Sequence, residues 1–332
     1  MTAPIETRTG AAAGPTAAVT PVDLLLAALA TLSLTPWVSA PVALLAGIGF
    51  ALLFGQPRGA LVRRWTSPLL QAAVVALGAG MNLGVVLRVG ARGVGYTMAG
   101  ISGTLLLTWA MARLLRTDAV ISMLVGVGTA ICGGSAIAAV APVVRARSEQ
   151  TSVALGVVFL LNSAALLIFP KVGALAGLAP AQFGLWSALA IHDTSSVVGA
   201  AIAYAPASVA IATTVKLARA LWIIPVALLA SRLPLAGTVD GPRGPAKRPW
   251  FILGFVAAAA LVTYVPFLEG AGALVAAAGR HLLVLTLFLI GTALSRDALR
   301  TVGWRPLALG VGLWVVVATT TLGAIRAGLL SV

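Results

Sequence analysis

Long apolar segments with almost no charged residues follow one another along most of this chain. Each approaches the length of about 20 residues that a helix needs to cross a bilayer. Only 9% of the residues are charged, against about 25% in a typical soluble protein, so the chain has too few charges to cover a water-facing surface. The pattern predicts an all-α polytopic membrane protein with about 10–11 transmembrane helices, rather than a barrel. The segments are roughly 22–36, 38–55, 67–87, 93–115, 119–144, 152–170, 183–204, 207–231, 250–267, 281–299 and 306–329.

Basic residues outnumber acidic ones, 22 against 8, for a net charge of +14. In a soluble protein this excess would indicate nucleic acid, but here most basic residues lie in short loops between apolar segments. The partner is therefore a lipid bilayer, and no nucleic acid is expected. Lys and Arg are enriched in cytoplasmic loops, which predicts a multi-pass protein of the bacterial inner membrane with a cytoplasmic N-terminus and, with eleven crossings, an external C-terminus.

The ends of the transmembrane region are marked by composition. Residues 1–20 are rich in Ala, Thr, Gly and Pro, which predicts a disordered tail without a cleavable signal peptide. Residues 21–331 form a single transmembrane domain in this interpretation. The longest polar interruption, 232–249, is a natural boundary between two helical groups.

The inventory of reactive residues is small. One cysteine and two histidines are present, which excludes an internal disulfide and a Cys-rich zinc or iron–sulfur site. No nucleophile–base set or phosphate-binding loop is visible either. We therefore expect no enzyme activity and no cofactor.

The fifth apolar segment is unusually rich in small residues around its centre. Thr129, Cys132, Gly133, Gly134 and Ser135 lie within the run GVGTAICGGSA. One or two glycines would be ordinary packing residues in a membrane helix. Several together predict a helix that unwinds near the midplane and exposes backbone N–H groups, which bind anions at a helix N-terminus.

The seventh segment contains ionisable residues between apolar stretches. His192, Asp193, Thr194 and Ser195 follow the run LWSALAI, and ionisable groups within a membrane span are functional candidates by default. The alternative is a loop in which Asp193 caps the helix that follows. A second broken helix satisfies both interpretations. Residues 131–141 also align weakly with 191–201, and internal repeats are common in transporters.

The eighth segment carries two cations near its middle. Lys216 and Arg219 are three residues apart and share a helical face. A buried pair of cations needs an anion, either a bound substrate or, as an alternative, Asp193. Asn162 in the sixth segment is interpreted as a helix-to-helix hydrogen-bonding residue.

Together these motifs resemble the YeiH-type sulfate exporter family of bacterial inner-membrane proteins. The similarity lies in GTAICGGSAIAAVAPVV, the Asn162 segment ending at Pro170, IHDTSSVVGAA and TTVKLARALWIIPVALL, in that order. It implies a relation to cation:proton antiporters and bile-acid-type anion transporters, which have inverted repeats, two broken helices that cross near the midplane, and core and panel helix groups. The chain departs from the family pattern at Asp193, where glutamate is common, and at Ala141, where an acid is common.

The resulting hypothesis is a secondary transporter of sulfate or a related small sulfur-containing or organic anion that works by alternating access. The substrate-binding residues would be the small-residue, His-acid and basic motifs, and H⁺ or Na⁺ would be a coupling ion. A proton-coupled cation antiporter that uses Asp193 is the alternative. The oligomeric state is open, with a homodimer as one option. The substrate-binding set is Thr129, Cys132, Gly133, Gly134, Ser135, His192, Asp193, Thr194, Ser195, Lys216 and Arg219.

Overall fold

A computed structural model describes residues 20–56, 58–232, 250–294 and 302–331, and this part of the chain is mostly helical, without strands. The predicted all-α polytopic class is confirmed. The helices are α1 (Pro21–Leu32), α2 (Ala40–Phe54), α3 (Gly59–Gly78), α4 (Leu83–Leu115), α5 (Ala119–Ala130), α6 (Gly134–Val140), α7 (Ser148–Leu175), α8 (Pro180–Ala190), α9 (Thr194–Tyr204), α10 (Val209–Ala220), α11 (Ile223–Ala230), α12 (Trp250–Tyr264), α13 (Glu269–Thr292) and α14 (Trp304–Arg326).

Five helical segments within the described residues are long and apolar enough to cross a membrane. A sixth results if Gly59–Gly78 and Leu83–Val89, which are bent by 111°, are counted as one span. The structure therefore supports several membrane-spanning helices. The five segments are Val94–Leu115, Glu149–Leu175, Pro206–Ala230, Pro266–Thr292 and Trp304–Arg326.

Helices α5 and α6 form a hairpin that returns to the side from which it starts. Asp118 caps the start of α5 by accepting a hydrogen bond from the Ile121 N–H at 2.9 Å. The same carboxylate accepts from Gln150 Nε2 at 3.1 and 3.2 Å, and Gln150 lies in the first turn of α7. A segment that crosses about 30 Å of hydrocarbon could not bring these two residues together. Residues 119–147 are therefore re-entrant.

Helices α8 and α9 form a second hairpin of the same kind. The Tyr204 hydroxyl, at the end of α9, donates to the Leu178 carbonyl just before α8. The Tyr204 ring also stacks on Phe183 in the first turn of α8, with ring centroids 3.9 Å apart. Both ends of the second hairpin consequently lie at one membrane face.

The two hairpins enter from opposite faces. Helix α7 has 28 residues, about 42 Å at 1.5 Å per residue, and it joins the base of the first hairpin to the base of the second. We call these faces the Gln150 face and the Leu178 face. Since α5 has 12 residues and α8 has 11, each first helix extends about 16–18 Å inward, which places both tips near the middle of the bilayer.

This arrangement corrects the predicted path of two segments. Residues 119–144 and 183–204 do not each cross the membrane as broken helices but turn back at their interruptions, so neither is a crossing. Removing two crossings does not change the sides on which the two termini are predicted to lie. Arg145 and Arg147 move to the Gln150 face, together with Arg116, and Lys171 moves towards the opposite face, which sharpens the contrast in basic residues between the faces.

The remaining helices pack into two groups. Helix α13 packs against α2 and α3, and α12 packs on α3. Helices α2 and α13 approach closely because Gly47 has no side chain: a Cβ atom there would lie 2.2 Å from the Phe288 carbonyl oxygen. The second group contains the two hairpins with α4, α7, α10 and α14. The predicted tail and most of the 232–249 boundary lie outside the described residues.

Candidate functional site

The tips of the two hairpins touch each other. Gly133 ends the interruption 131–133 between α5 and α6, and Asp193 ends the interruption 191–193 between α8 and α9. A Cβ atom on Gly133 would lie 3.1 Å from Asp193 Cβ and 3.2 Å from the Asp193 backbone nitrogen. The interruptions are therefore at equivalent positions in the weak repeat, since residue 131 aligns with 191.

Asp193 organises the tip of the second hairpin. It is the N-cap of α9, and its carboxylate accepts hydrogen bonds from the Ser195 N–H at 3.0 Å and from the Ser195 hydroxyl. Its own N–H donates to Asn162 Oδ1 at 3.0 Å. Asn162 is the fifteenth residue of the 28-residue helix α7, so it reaches the tip from the middle of the membrane. Non-helical backbone at this depth requires such partners.

Lys216 binds the carboxyl end of α8. Its ammonium group donates to the Ile191 carbonyl oxygen at 2.6 Å and to that of Ala188 at 3.4 Å. The side chain is 0% exposed. The last carbonyls of a helix have no partner within the helix and carry a partial negative charge, so Lys216 satisfies groups that would otherwise be unpaired in the membrane interior.

Arg219 joins the two hairpins. One terminal nitrogen of its guanidinium donates to the carbonyl oxygens of Leu189 at 2.5 Å and Ala188 at 3.1 Å, at the end of α8. The other terminal nitrogen donates to the Ala130 carbonyl oxygen, at the end of α5. The planar guanidinium suits this bridge because its donors point in two fixed directions. Helix α10 thus supplies one cation for the end of α8 and one for both hairpins.

The charges at the tips do not balance. Each helix end carries about half an elementary charge, negative at the ends of α5 and α8 and positive at the starts of α6 and α9, so these contributions approximately cancel. Two cations then face the single carboxylate of Asp193, and neither forms an ion pair with it in the described part of the chain. The junction of the tips therefore has an excess of basic over acidic side chains, two against one.

Several polar groups near the tips are buried without a hydrogen-bond partner among the described residues. They include both ring nitrogens of His192, Asn162 Nδ2, Arg219 Nε and the hydroxyls of Thr213 and Thr214. Unpaired buried polar groups are costly and infrequent in native proteins. In the part of the chain described, these groups lie on α7, on α10 and at the second tip.

The predicted site residues differ in burial and in their distance from the tips. Cys132, Gly133, His192, Asp193, Thr194, Ser195, Lys216 and Arg219 are buried at or beside the tips. Thr129 is also buried, but its hydroxyl donates to the Val125 carbonyl of its own helix. Ser135 is exposed and Gly134 is half-buried, and a Cβ atom on Gly134 would lie 3.0 Å from the Phe159 ring of α7. No three His, Cys, Asp or Glu side chains of the described residues come together as a metal site requires.

Asn162 was interpreted as a helix-to-helix hydrogen-bonding residue, and it accepts the hydrogen bond from the Asp193 N–H at the second tip. One contribution to the site was missed in the sequence. Arg219 also borders a cavity that Tyr96 and Thr97 line from α4. No signal in the sequence pointed to this cavity, because residues 93–112 of α4 contain no charged side chain.

Comparisons with known proteins give one consistent family. The family described as conserved hypothetical protein 698 matches residues 16–310. A UPF0324 membrane protein of Bdellovibrio bacteriovorus is 55% identical over 300 residues, which cover 90% of this chain and 92% of the relative. Similar proteins of the same name occur in Geobacter sulfurreducens, 48% identical over 90% of this chain and 94% of the relative, and in Bacteroides thetaiotaomicron, 46% identical over 87% of both. No solved structure matches the chain.

Proposed function

This chain belongs to the conserved hypothetical protein 698 family of membrane proteins, and we propose that it is a secondary transporter that moves a small anion by alternating access. The observation that carries the proposal is the burial of Lys216 and Arg219 where the two hairpin tips meet. Both basic side chains are almost fully buried, at 0% and 2% exposure, and neither forms a salt bridge with a carboxylate in the described part of the chain. An unpaired charge inside a membrane is expensive, and a bound anion offsets that expense.

The opposed hairpins support alternating access. One tip is reached from the Gln150 face and the other from the Leu178 face, and Arg219 contacts carbonyl groups of both. A ligand at this junction is separated from each face by a different hairpin. A small displacement of one hairpin relative to α10 would therefore open the junction to one side at a time.

Sulfate, or a related small sulfur-containing or organic anion, is the substrate class we propose. The resemblance to the YeiH-type sulfate exporter family supports it, and so does the excess of basic side chains at the junction. We assign Cys132, Gly133, Thr194 and Ser195 to the walls of the site. His192 and Asp193 are the groups we propose for coupling to H⁺ or Na⁺, and the bacterial inner membrane is the proposed location, with the N-terminus on the cytoplasmic side.

Sulfate binding by the purified full-length protein tests the anion site. Lys216→Gln should weaken sulfate affinity about thirtyfold, roughly 2 kcal/mol, as expected when a charged hydrogen-bond donor is lost from a buried site. Arg113→Gln is the matched control, because it removes an exposed cation on α4 and should leave affinity unchanged. The sulfate-induced rise in melting temperature reports binding only for protein that is folded.

The same measurement with Na⁺ separates the two transporter classes. A cation antiporter would lose Na⁺ binding in Asp193→Asn and keep it in Lys216→Gln. Unchanged sulfate affinity in Lys216→Gln contradicts the anion site. Loss of sulfate affinity in Lys216→Gln, together with unaltered affinity in Arg113→Gln, supports it.

Uptake into proteoliposomes tests the coupling residues. We expect sulfate accumulation to be driven by either an imposed pH gradient or an imposed Na⁺ gradient, but not by both. If the imidazole carries the proton, His192→Gln should abolish the response to the pH gradient. A pH response that is the same in His192→Gln and in the unaltered protein removes His192 from coupling.

A further inference from the structure

A cavity of about 330 Å³ lies between α4 and α14, with Leu189 and Arg219 at its inner end. Tyr96 and Thr97 line it from the start of the membrane-length part of α4, and Ala324 and Leu330 line it from the end of α14. Both of these ends lie towards the Leu178 face, because the other ends of α4 and α14 meet at the Gln150 face, where Arg305 donates to the Arg116 carbonyl at 3.5 Å. The cavity thus lies in the half of the membrane next to the Leu178 face and borders the guanidinium that joins the hairpin tips.

Three residues that border this cavity carry a buried donor without a hydrogen-bond partner among the described residues. The donors are the Tyr96 hydroxyl, the Thr97 hydroxyl and Arg219 Nε. The terminal nitrogens of Arg219 are held by carbonyl oxygens of α5 and α8, whereas Nε has no such partner. Two hydroxyls and one charged N–H are suited to the oxygen atoms of a carboxylate or sulfonate.

The rest of the wall is mainly apolar. Leu107, Val316, Val317 and Leu330 line it, and Gly100 and Gly103 make room on the α4 side. The hydroxyls of the other three lining threonines donate to carbonyls of their own helices: Thr104, Thr320 and Thr321. Pockets that bind organic ligands have volumes from about 300 Å³ upwards and combine an apolar wall with a few polar groups. Inorganic sulfate would leave this wall without contacts, whereas an aromatic ring or short alkyl group would fill it.

We propose that this cavity binds an organic monoanion, with its carboxylate or sulfonate at Tyr96, Thr97 and Arg219 and its apolar body between α4 and α14. The inference rests on the proposed transport function and specifies its substrate class: the ligand enters from the Leu178 face and meets Arg219 before it reaches the tips. The apolar body distinguishes this ligand from inorganic sulfate.

Binding of benzenesulfonate to the purified full-length protein tests this assignment, with inorganic sulfate and the neutral benzenesulfonamide as comparison probes. Benzenesulfonate should bind at least tenfold more tightly than either, because only it supplies both the charge and the ring. Thr97→Val keeps the side-chain shape and removes the hydroxyl, and it should weaken benzenesulfonate binding about tenfold.

A pair of glycine variants on α4 tests the location. Gly103 lines the cavity and Gly95 does not, and a Cβ atom at either position would meet nothing within 4 Å. Gly103→Leu should therefore fill the cavity and reduce benzenesulfonate affinity at least tenfold, whereas Gly95→Leu should change it less than twofold. Equal effects of the two variants would overturn the assignment.

The outcomes separate this inference from the proposed function. Sulfate binding that requires Lys216, with no benzenesulfonate binding, would overturn the organic-anion assignment and leave the anion transporter intact. Benzenesulfonate binding that requires Thr97 and the space at Gly103, without transport of any anion, would support the cavity and contradict the transporter. Equal binding of benzenesulfonate and benzenesulfonamide would indicate an apolar lipid-like occupant and overturn the proposal.

Discussion

Gly133 and Asp193 are in backbone contact, although 60 residues separate them in the chain. Each is the residue before the second helix of its hairpin, and the space for a Cβ atom on Gly133 is taken by Asp193. Gly133 also has a φ of 63°, in the left-handed region that favours glycine. At this contact the two hairpins, which enter from opposite membrane faces, meet.

Gly133→Ala should therefore impair ligand binding at the site in addition to straining the backbone. With φ 63° and ψ −128°, Gly133 has a conformation that only glycine adopts readily, and a Cβ atom there costs about 1–3 kcal/mol and requires Asp193 to shift. Gly177→Ala is the control, because Gly177 has a φ of 65° with nothing within 4 Å of its Cβ position. We expect a lower melting temperature in both variants, but loss of sulfate binding only in Gly133→Ala. Equal binding by the two variants would show that the tip contact does not position the ligand site.

The re-entrant path of α5 and α6 predicts which residues share a membrane face. In a Cys132→Ser background, Ala119→Cys and Glu149→Cys should react with a membrane-impermeant maleimide from the same side, and Leu175→Cys from the other. These three positions are exposed. If residues 119–144 crossed the membrane, Ala119→Cys and Glu149→Cys would react from opposite sides. Labelling of intact and inverted vesicles distinguishes the two arrangements.

The sequence predicts where the helices are interrupted better than it predicts the direction of the chain after each interruption. Glycines around Cys132 and the acid at position 193 predict non-helical backbone inside the membrane, and the structure has helix ends at both places. Whether a chain continues or turns back after such a break depends on contacts between distant residues, such as Asp118 with Gln150 and Tyr204 with Leu178. Apolar length and local composition do not contain those contacts.

The partners of the cations were also beyond local sequence. Lys216 and Arg219 were expected to meet either a substrate anion or Asp193, because charged side chains suggest charged partners. In the structure, both donate first to helix-terminal carbonyls, and peptide carbonyls occur at every position and leave no mark in the sequence. The excess of basic side chains at the tips was predictable, but the way in which the cations are held was not.

Arg219→Lys should loosen the connection between the hairpins while it preserves the charge. A single ammonium group cannot reproduce the planar fork that reaches Ala130 on one side and Leu189 on the other. Loss of one such charged hydrogen bond should destabilise the protein by about 1.5–3 kcal/mol. Arg113→Lys, on an exposed part of α4, should leave thermal stability unchanged. Hydrogen exchange should rise at 130–134 or 189–194, and unaltered exchange at both tips would contradict the bridging role.

Asn162 should matter more than its neighbour Ser163, although both are buried polar residues of α7. Asn162 accepts the hydrogen bond from the Asp193 N–H, whereas the Ser163 hydroxyl donates to the Phe159 carbonyl of its own helix at 2.9 Å. Asn162→Ala leaves a buried N–H unpaired, which should cost about 1–3 kcal/mol, and it frees the second tip to move away from Gly133. Ser163→Ala removes only a bond to a carbonyl that the helix already satisfies. We therefore expect a lower melting temperature and at least tenfold weaker sulfate binding in Asn162→Ala, with Ser163→Ala close to the unaltered protein in both measurements. Weaker binding of the same size in Ser163→Ala would mean that α7 affects the ligand through general packing rather than through its contact with Asp193.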